Sequence, residues 1–361
     1  MKYKTSVYIG RFQPIHEAHL DIIDQALKIS ETVIISIGSS HRPKTIKNPW
    51  TAQERIEMIK SALLDRHHPG LSTQGWKDKP EPTIISRIKF IQVRDHMYNN
   101  TRWATETYSK ALLAGATQDK QTALIGCFKD KSSWYLNMYP QWSLHSIDKI
   151  YNDDNELMNA TDIREEIFET GKIIENSEYI PACTYKELSA WTYSEECTKL
   201  TDEYSFIKNY KKAWENAPYA PTFVTADCVV IKSGHILIIK RKFNPGKGLW
   251  ALPGGFVDQG EKIEDSAIRE LKEETRIKID KPVLRRSIVD VKIFDHPERS
   301  LRGRTITHAH LIDLGEGPLP EIKAGDDASG AHWIPLADLK NLEDQMFEDH
   351  NDIIHNLTSR F

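Results

Sequence analysis

Residues 6–27 read SVYIG-RFQPIHEAHL-DIIDQAL, and this stretch decides the fold of the first half. A short apolar run, SVYIG (6–10), breaks at Gly10 and is followed by an amphipathic segment with Leu20, Ile23 and Leu27 on one stripe. Apolar residues spaced in this way mark a helix, and the continuous run before it marks a buried strand. A turn from the carboxyl end of a parallel strand into a helix N-terminus gathers backbone N–H groups at one point, which attracts phosphate. The turn itself is Gly10-Arg11-Phe12-Gln13-Pro14-Ile15-His16-Glu17-Ala18-His19. Gly10 lets backbone approach closely, and Arg11 offers a bidentate fork. His16 and His19 are three apart, so they share a helix face and can donate to the same polyphosphate.

Working outward, further runs rich in Val and Ile occur at TVIISIGSS (32–40), KFIQVRD (89–95) and TALIGCF (122–128). They are nearly continuously apolar, as strands of a parallel sheet covered on both faces are. Thr51-Ala52-Gln53-Glu54 is a capping box opening a helix whose apolar face continues through Ile56, Ile59 and Leu63. Strand–helix alternation predicts a doubly wound α/β domain over 1–185. Residues 186–218 are charged and aromatic without strand alternation. They read as a helical connector ending at NAPYAP, with Trp191, Tyr193, Tyr204, Phe206 and Trp214 expected to seek burial. Strands then dominate again at TADCVVI (225–231), HILIIK (235–240) and RTITHAHLIDL (304–314), around one strong helix at 264–275. That is an α+β domain over 219–361.

The chain of 361 residues is long enough for these domains, and its formal net charge of −4 provides no bulk positive field to hold a nucleic-acid backbone. No apolar run is long enough to span a membrane, and the N-terminal segment lacks a signal-peptide core. Cys127, Cys183, Cys197 and Cys228 are scattered without CxxC spacing. The expectation is a cytoplasmic chain with free thiols, without nucleic-acid or membrane partners. Oligomeric state is not readable.

The segment GRFQPIHEAH resembles the GRFQPxHxGH signature of nucleotidylyltransferases, especially nicotinamide mononucleotide (NMN) adenylyltransferases of the archaeal type, with Ala18 where the family has Gly. Asn48-Pro49-Trp50-Thr51-Ala52 with Glu54-Arg55 is similar to the family's NPFTAxER stretch. Asn159-Ala160-Thr161-Asp162-Ile163-Arg164 is similar to its ISSTxxR signature. The resemblance, over about 1–180, implies a Rossmann-type domain that binds ATP through Gly10, Arg11, Phe12, His16, His19, Thr161 and Arg164. Of these, Arg11, His16, His19 and Arg164 are the catalytic candidates. Thr161 is read as the cap of its helix. Asp95, Asn99 and Trp103 follow a strand end, and the resemblance implies that they receive NMN, Trp103 by stacking on the pyridinium. Gly126 through Ser132 also resembles the family, with Asp130 and Lys131 either structural or at the ligand. The acceptor phosphate would attack the α-phosphorus of ATP in line, so no Ser or Cys nucleophile is needed.

The second constellation is GFVDQGE (255–261) leading to RELKEETRI (269–277). On a helix, Glu270, Glu273 and Glu274 lie at i, i+3 and i+4, and three carboxylates on one face repel unless cations neutralise them. Hard oxygen donors suit Mg²⁺ or Mn²⁺. Arg269 stands four before Glu273 and would orient it. The spacing resembles the Nudix box almost entirely, with Arg276 where the pattern has Gly. A left-handed dihedral there would cost Arg ~1 kcal/mol. The resemblance implies hydrolysis of a nucleoside diphosphate linked to another group. Glu270 and Glu274 would be the leading metal ligands, then Glu273 and Glu261. Arg299, Arg302 and Arg304 form a candidate pyrophosphate clamp. A tandem of these two halves resembles a bifunctional type whose Nudix half cleaves ADP-ribose to AMP and ribose 5-phosphate. Two alternatives stand beside it: a Nudix half that senses ADP-ribose or NAD without hydrolysis, and a first half that uses another phosphate-monoester acceptor.

Overall fold

The computed structural model describes residues 2–68, 83–128, 131–148, 158–173, 179–325 and 327–358. It divides into two compact units, Met1–Thr201 and Asp202–Phe361.

In the first unit the chain runs β1 (Tyr3–Gly10), α1 (Glu17–Ile29), β2 (Ser30–Ile37), α2 (Ala52–His67), α3 (Thr83–Ser86), β3 (Ile88–Gln92), α4 (Asn100–Ala114), β4 (Thr122–Gly126), β5 (Ser143–Ser146), α5 (Ala160–Thr170) and α6 (Ala182–Trp191). The five strands are parallel in the order β3-β2-β1-β4-β5. The order reverses at β1/β4, and the segments after β1 and β4 open at that switch point, where doubly wound sheets bind ligands. Val7, Ile34 and Leu124, each at most 1% exposed, explain the continuous apolar runs, since neither sheet face meets water. The Thr51 capping box forms as read: Glu54 N–H donates to Thr51 Oγ1 at 3.2 Å, and Thr51 N–H donates to Glu54 Oε2 at 2.6 Å. β5 was not foreseen, because SLHS (143–146) is short and half polar.

The connector does not stand apart. Its helix α7 (Glu195–Lys212) is cut by the division between the units at Thr201. Upstream of that point Trp191 lies 5.0 Å from Trp50 and 6.3 Å from Phe168, ring to ring. Lys44 Nζ bridges Glu54 and Glu196 at 2.8 Å each. These contacts make the segment part of the first unit. The expected burial of its aromatics fails for Tyr193, Phe206 and Trp214, which are 89%, 40% and 44% exposed.

The second unit continues with β6 (Thr222–Lys232), β7 (His235–Arg241), β8 (Trp250–Ala251), β9 (Gly254–Phe256), α8 (Ile263–Thr275), α9 (Lys281–Arg286), β10 (Ile288–Phe294), β11 (Arg304–Asp313), β12 (Ala328–Pro335) and α10 (His350–Thr358). A mixed sheet runs β10-β11-β6-β7-β12, with β8 on β7 and β9 on β6. Ala267, Ile268 and Leu271 of α8 pack on Ala226, Cys228, Val230 and Leu237. At the edge of that face Glu274 is buried and Glu270 half-buried, while Glu273 turns outward. β10 escaped the sequence reading because it turns Val289, Val291 and Ile293 outward, against the usual alternation. All four cysteines are free thiols. Among the described residues no helix is long and apolar enough to cross a membrane.

Candidate active sites

In the first unit, His16 is the N-cap of α1, and its backbone N–H donates to His19 Nδ1 at 3.3 Å. The two rings stack with centroids 3.7 Å apart. A ring that accepts at Nδ1 carries its proton on Nε2, so His19 is set as a donor at that nitrogen. Phe12, placed by φ +53° and 1% exposed, backs His19 at 4.9 Å. The buried ring supports the histidine from behind. Gly10 has a related reason: a Cβ there would lie 2.7 Å from the Phe12 ring. Ala18 is inside α1 and outside the positive-φ residues, so its methyl adds no backbone strain.

Arg164 reaches the same turn. Its Nη1 donates to Gln13 O at 2.5 Å and Ala160 O at 3.0 Å, its Nε to Ile46 O at 3.2 Å, and its Nη2 to Thr161 Oγ1 at 3.1 Å. Burial, with Arg11 adding repulsion, lowers its pKa to about 10, still cationic at neutral pH. Arg11 itself is exposed. Thr161 is not the cap of α5; Asn159 is, accepting Thr161 N–H at 3.0 Å, and Thr161 accepts from Arg164. The site reading missed Arg55 as an organiser. Buried at 1% exposure, it donates to the carbonyls of Arg11, Gly38 and Ser39 at 2.5, 2.8 and 3.3 Å. Its signal was an Arg inside an otherwise apolar helix face.

After β3, Asp95 Oδ2 is paired with Arg42 Nε at 3.3 Å. Asn99 caps α4 by accepting Arg102 N–H at 2.8 Å, leaving its amide donors for a ligand. Trp103 is half-buried, 5.3 Å from Trp134, which is 38% exposed and went unnoticed in the sequence. Asp130 lies outside the described residues, as does the side chain of Lys131.

In the second unit Arg269 gathers the carboxylates. It reaches Glu261 Oε2 at 3.0 Å, Glu270 Oε1 at 2.7 Å and Glu273 Oε2 at 3.0 Å. Glu261 holds it first, and all three keep the guanidinium charged. Arg269 therefore orients three of the four glutamates, not Glu273 alone. Glu274 is 5% exposed and accepts Gly254 N–H at 2.9 Å. Burial, and Glu270 at its side, push its carboxyl up to about 8; burial raises Glu270 as well. A Cβ on Gly255 would lie 2.5 Å from Glu270 Oε1, so a side chain there would push that carboxylate aside. Among the described residues no three ligating side chains converge on one point. The donor set nevertheless fits a hard divalent cation: the donors are all oxygens, two of them are partly or wholly buried, and their mutual repulsion calls for positive charge.

Arg299 does not join a clamp. It is 3% exposed and forms a bidentate pair with Asp349, both bonds 2.9 Å, which with Asp227 outweighs burial and raises its pKa. Arg304 turns away to Asp295. Arg302 stays at the site, 4.0 Å from Glu348, with its guanidinium 5.0 Å over the Phe256 ring. Arg241, at the end of β7, was missed. Burial and repulsion from Arg302 lower its pKa, and it is in electrostatic reach of Glu274 and Glu348. A lone Arg after HILIIK gave no signal of this role.

Arg276 ends α8 with φ +46°, the left-handed dihedral expected of that position. Arg276→Gly should leave hydrolysis unchanged and raise stability by up to ~1 kcal/mol, read from denaturant midpoints.

Two family models match: a cytidylyltransferase-like domain over residues 7–166 and a NUDIX domain over residues 221–357. A crystal structure of a bifunctional NMN adenylyltransferase/ADP ribose pyrophosphatase from Francisella tularensis is 37% identical, covers 99% of both chains and superposes with a TM-score of 0.88. The chain belongs to this bifunctional family. The same Francisella protein complexed with AMP and Mn ion matches at 36% identity and a TM-score of 0.86, again over 99% of both chains. Single-function relatives match too. The nicotinamide/nicotinic acid mononucleotide adenylyltransferase of Acinetobacter baylyi is 35% identical over 56% of this chain and 94% of its own. The ADP-ribose pyrophosphatase of Methanocaldococcus jannaschii is 40% identical over 45% of this chain and 82% of its own. The doubly wound first half and the Nudix second half expected from the sequence are the folds observed.

Proposed function

We propose that the first unit transfers AMP from ATP to NMN, giving NAD and pyrophosphate, and that the second hydrolyses ADP-ribose to AMP and ribose 5-phosphate. The observation that carries this is the full-length likeness to a bifunctional enzyme, with both charge clusters intact.

In the first reaction an oxygen of the NMN phosphate forms a bond to the α-phosphorus of ATP. The bond from that phosphorus to the bridging oxygen breaks, and pyrophosphate leaves with the electron pair. The nucleophile arrives with the acceptor, so the chain's task is positioning and charge compensation. His19 Nε2–H, His16 and the α1 N-terminus receive phosphate oxygens, and Arg11 and Arg164 offset the charge that moves to the leaving group. Thr161 holds Arg164. Trp103, with Trp134 beside it, takes the pyridinium face, and Asn99 donates to the ribose or carboxamide. Asp95, neutralised by Arg42, shapes that pocket.

In the second reaction water adds to one phosphorus of ADP-ribose and the bridging P–O bond breaks. Glu270 and Glu274, then Glu273 and Glu261, would hold the divalent cation, Mg²⁺ or Mn²⁺, which supplies charge neutralisation at the pyrophosphate. Arg269 keeps those carboxylates aligned. Arg302 and Arg241 neutralise the phosphate released.

Phosphorus NMR of the purified chain with Mg²⁺ tests both halves. NMN plus ATP should give NAD and pyrophosphate, and ADP-ribose alone should give AMP and ribose 5-phosphate. A silent tube would overturn the assignment of that half. Trp103→Ala should raise KM for NMN by about tenfold, with little change in kcat. Steady-state kinetics at saturating ATP would show it, and an unchanged KM would refute the stacking role.

A further inference from the structure

Strand β10 is an edge of the second unit that the reactions described above do not use. Among the described residues it pairs with β11 alone, at the end of the mixed sheet. Val289, Val291 and Ile293 are exposed at 58%, 44% and 60%, while Phe294 is buried and Asp290 and Lys292 are half-buried. Lys292 Nζ donates to Asn356 O and Oδ1 of α10 at 3.1 and 2.9 Å. Side chains alternate along a strand, so Asp290 and Lys292 share the α10 side of the sheet. Val291 and Ile293 stand on the other side, opposite His310 and His308 of β11.

The backbone of this edge is also available. Val291 N–H donates to the Asp290 carboxylate at 2.9 Å. An amide held by its neighbour's side chain points away from β11, and in an antiparallel strand the carbonyl of the same residue points the same way. The opposite edge is closed differently: β12 ends at Pro335, and its exposed residues are Ser329 and His332. An edge with exposed valine and isoleucine side chains is a template for another strand. The sequence of β10, Ile288-Val289-Asp290-Val291-Lys292-Ile293-Phe294, says which strand fits it. Turned antiparallel on itself about Val291, it sets Asp290 opposite Lys292 and Val289 opposite Ile293. Each charge then meets its opposite, and each apolar residue meets an apolar one. Sliding the strands by two residues either way brings Lys292 or Asp290 against its own copy, so one register is selected.

We propose that β10 pairs antiparallel with β10 of a second copy about a twofold axis at Val291, joining the two mixed sheets into one. Val291 exchanges both backbone bonds with its counterpart, and its amide leaves the Asp290 carboxylate for the partner's carbonyl. The released carboxylate meets the partner's Lys292, at a position without backbone bonds, where side chains come closest. The contact is isologous and closes at two chains, so it leaves no open edge for further growth. A second copy is the occupant because both charges that select the register belong to this strand. An unrelated strand would have to carry the same alternation in reverse.

Sedimentation of the full-length chain at concentrations up to about 100 μM should show the mass rising from that of one chain towards that of two. Val291→Pro removes the outward amide and no ladder bond to β11, so it should leave single chains at every concentration. Asp290→Lys and Lys292→Asp each set like charges face to face and should raise the dissociation constant about tenfold or more. The double variant D290K/K292D restores opposite charges in every pair and should bring the constant back close to the wild-type value. Misfolding cannot produce that rescue. Melting curves at low concentration check the fold of Val291→Pro, and if it melts early the charge exchange decides alone. A chain that stays single throughout the range would overturn the proposal. So would a dimer that a folded Val291→Pro leaves intact, or charge variants whose weakening the double variant does not reverse.

Discussion

Glu274→Gln should lower kcat for ADP-ribose hydrolysis by on the order of a thousandfold and leave NAD formation by the same chain untouched. Loss of a group that merely supports a metal ligand already costs about 10- to 100-fold in affinity or activity, so loss of a buried ligand itself should exceed that. The substitution is close to isosteric. The Gln carbonyl can still accept the Gly254 N–H that now reaches Glu274 Oε2 at 2.9 Å. A carboxylate that is 5% exposed beside Glu270 is expensive to hold without a cation, so the neutral amide should leave the metal-free protein as stable or more stable. The two readouts therefore move in opposite directions. Activity falls while the thermal midpoint in chelator holds or rises, a pair of outcomes that simple misfolding cannot produce. Hydrolysis kinetics with NAD synthesis as the internal control, and a melting curve in EDTA, would measure both. Turnover within tenfold of wild type would remove Glu274 from the ligand set and leave the cation to Glu270, Glu273 and Glu261.

What the sequence made legible follows from how local each constraint is. The β1 turn, the Thr51 cap and the α8 glutamates are set by residues within a few positions of one another, and each was readable from spacing. Arg276 shows the same at one residue, since its place just after α8 fixed its left-handed dihedral. The arginines of 299–304 show the opposite. Three cations in six positions look alike in sequence, but their directions depend on partners far along the chain. Asp349, fifty residues on, takes Arg299 into a buried pair. Asp295 draws Arg304 outward, and only Arg302 remains over Phe256. Arg241 arrives from β7 with no local mark at all. The aromatics of the 186–218 segment misled by composition, since exposure at Phe206 and Trp214 runs against their hydrophobicity.

His19→Ala should lower kcat/KM for NAD formation by about a hundred- to a thousandfold, with ADP-ribose hydrolysis as the unaffected control. The size follows from the arrangement around the ring. His19 is held on three sides, by Phe12 at 4.9 Å, Tyr8 at 6.4 Å and His16 at 3.7 Å. Its Nδ1 is engaged by the His16 backbone N–H, which leaves Nε2–H as the donor. A donor fixed in this way costs little reorganisation when charge moves onto the pyrophosphate, and such preorganised donors are worth most at the transition state. The loss should therefore fall on kcat more than on KM for ATP. His19→Asn discriminates further. An Asn amide can supply an N–H but lacks the length to be braced by both Phe12 and His16, so it should recover only part of the rate. If instead KM alone rises, His19 contributes uniform binding to ATP. The charge carried to the leaving group would then rest on Arg11 and on Arg164, whose guanidinium is already aimed into the turn through Gln13.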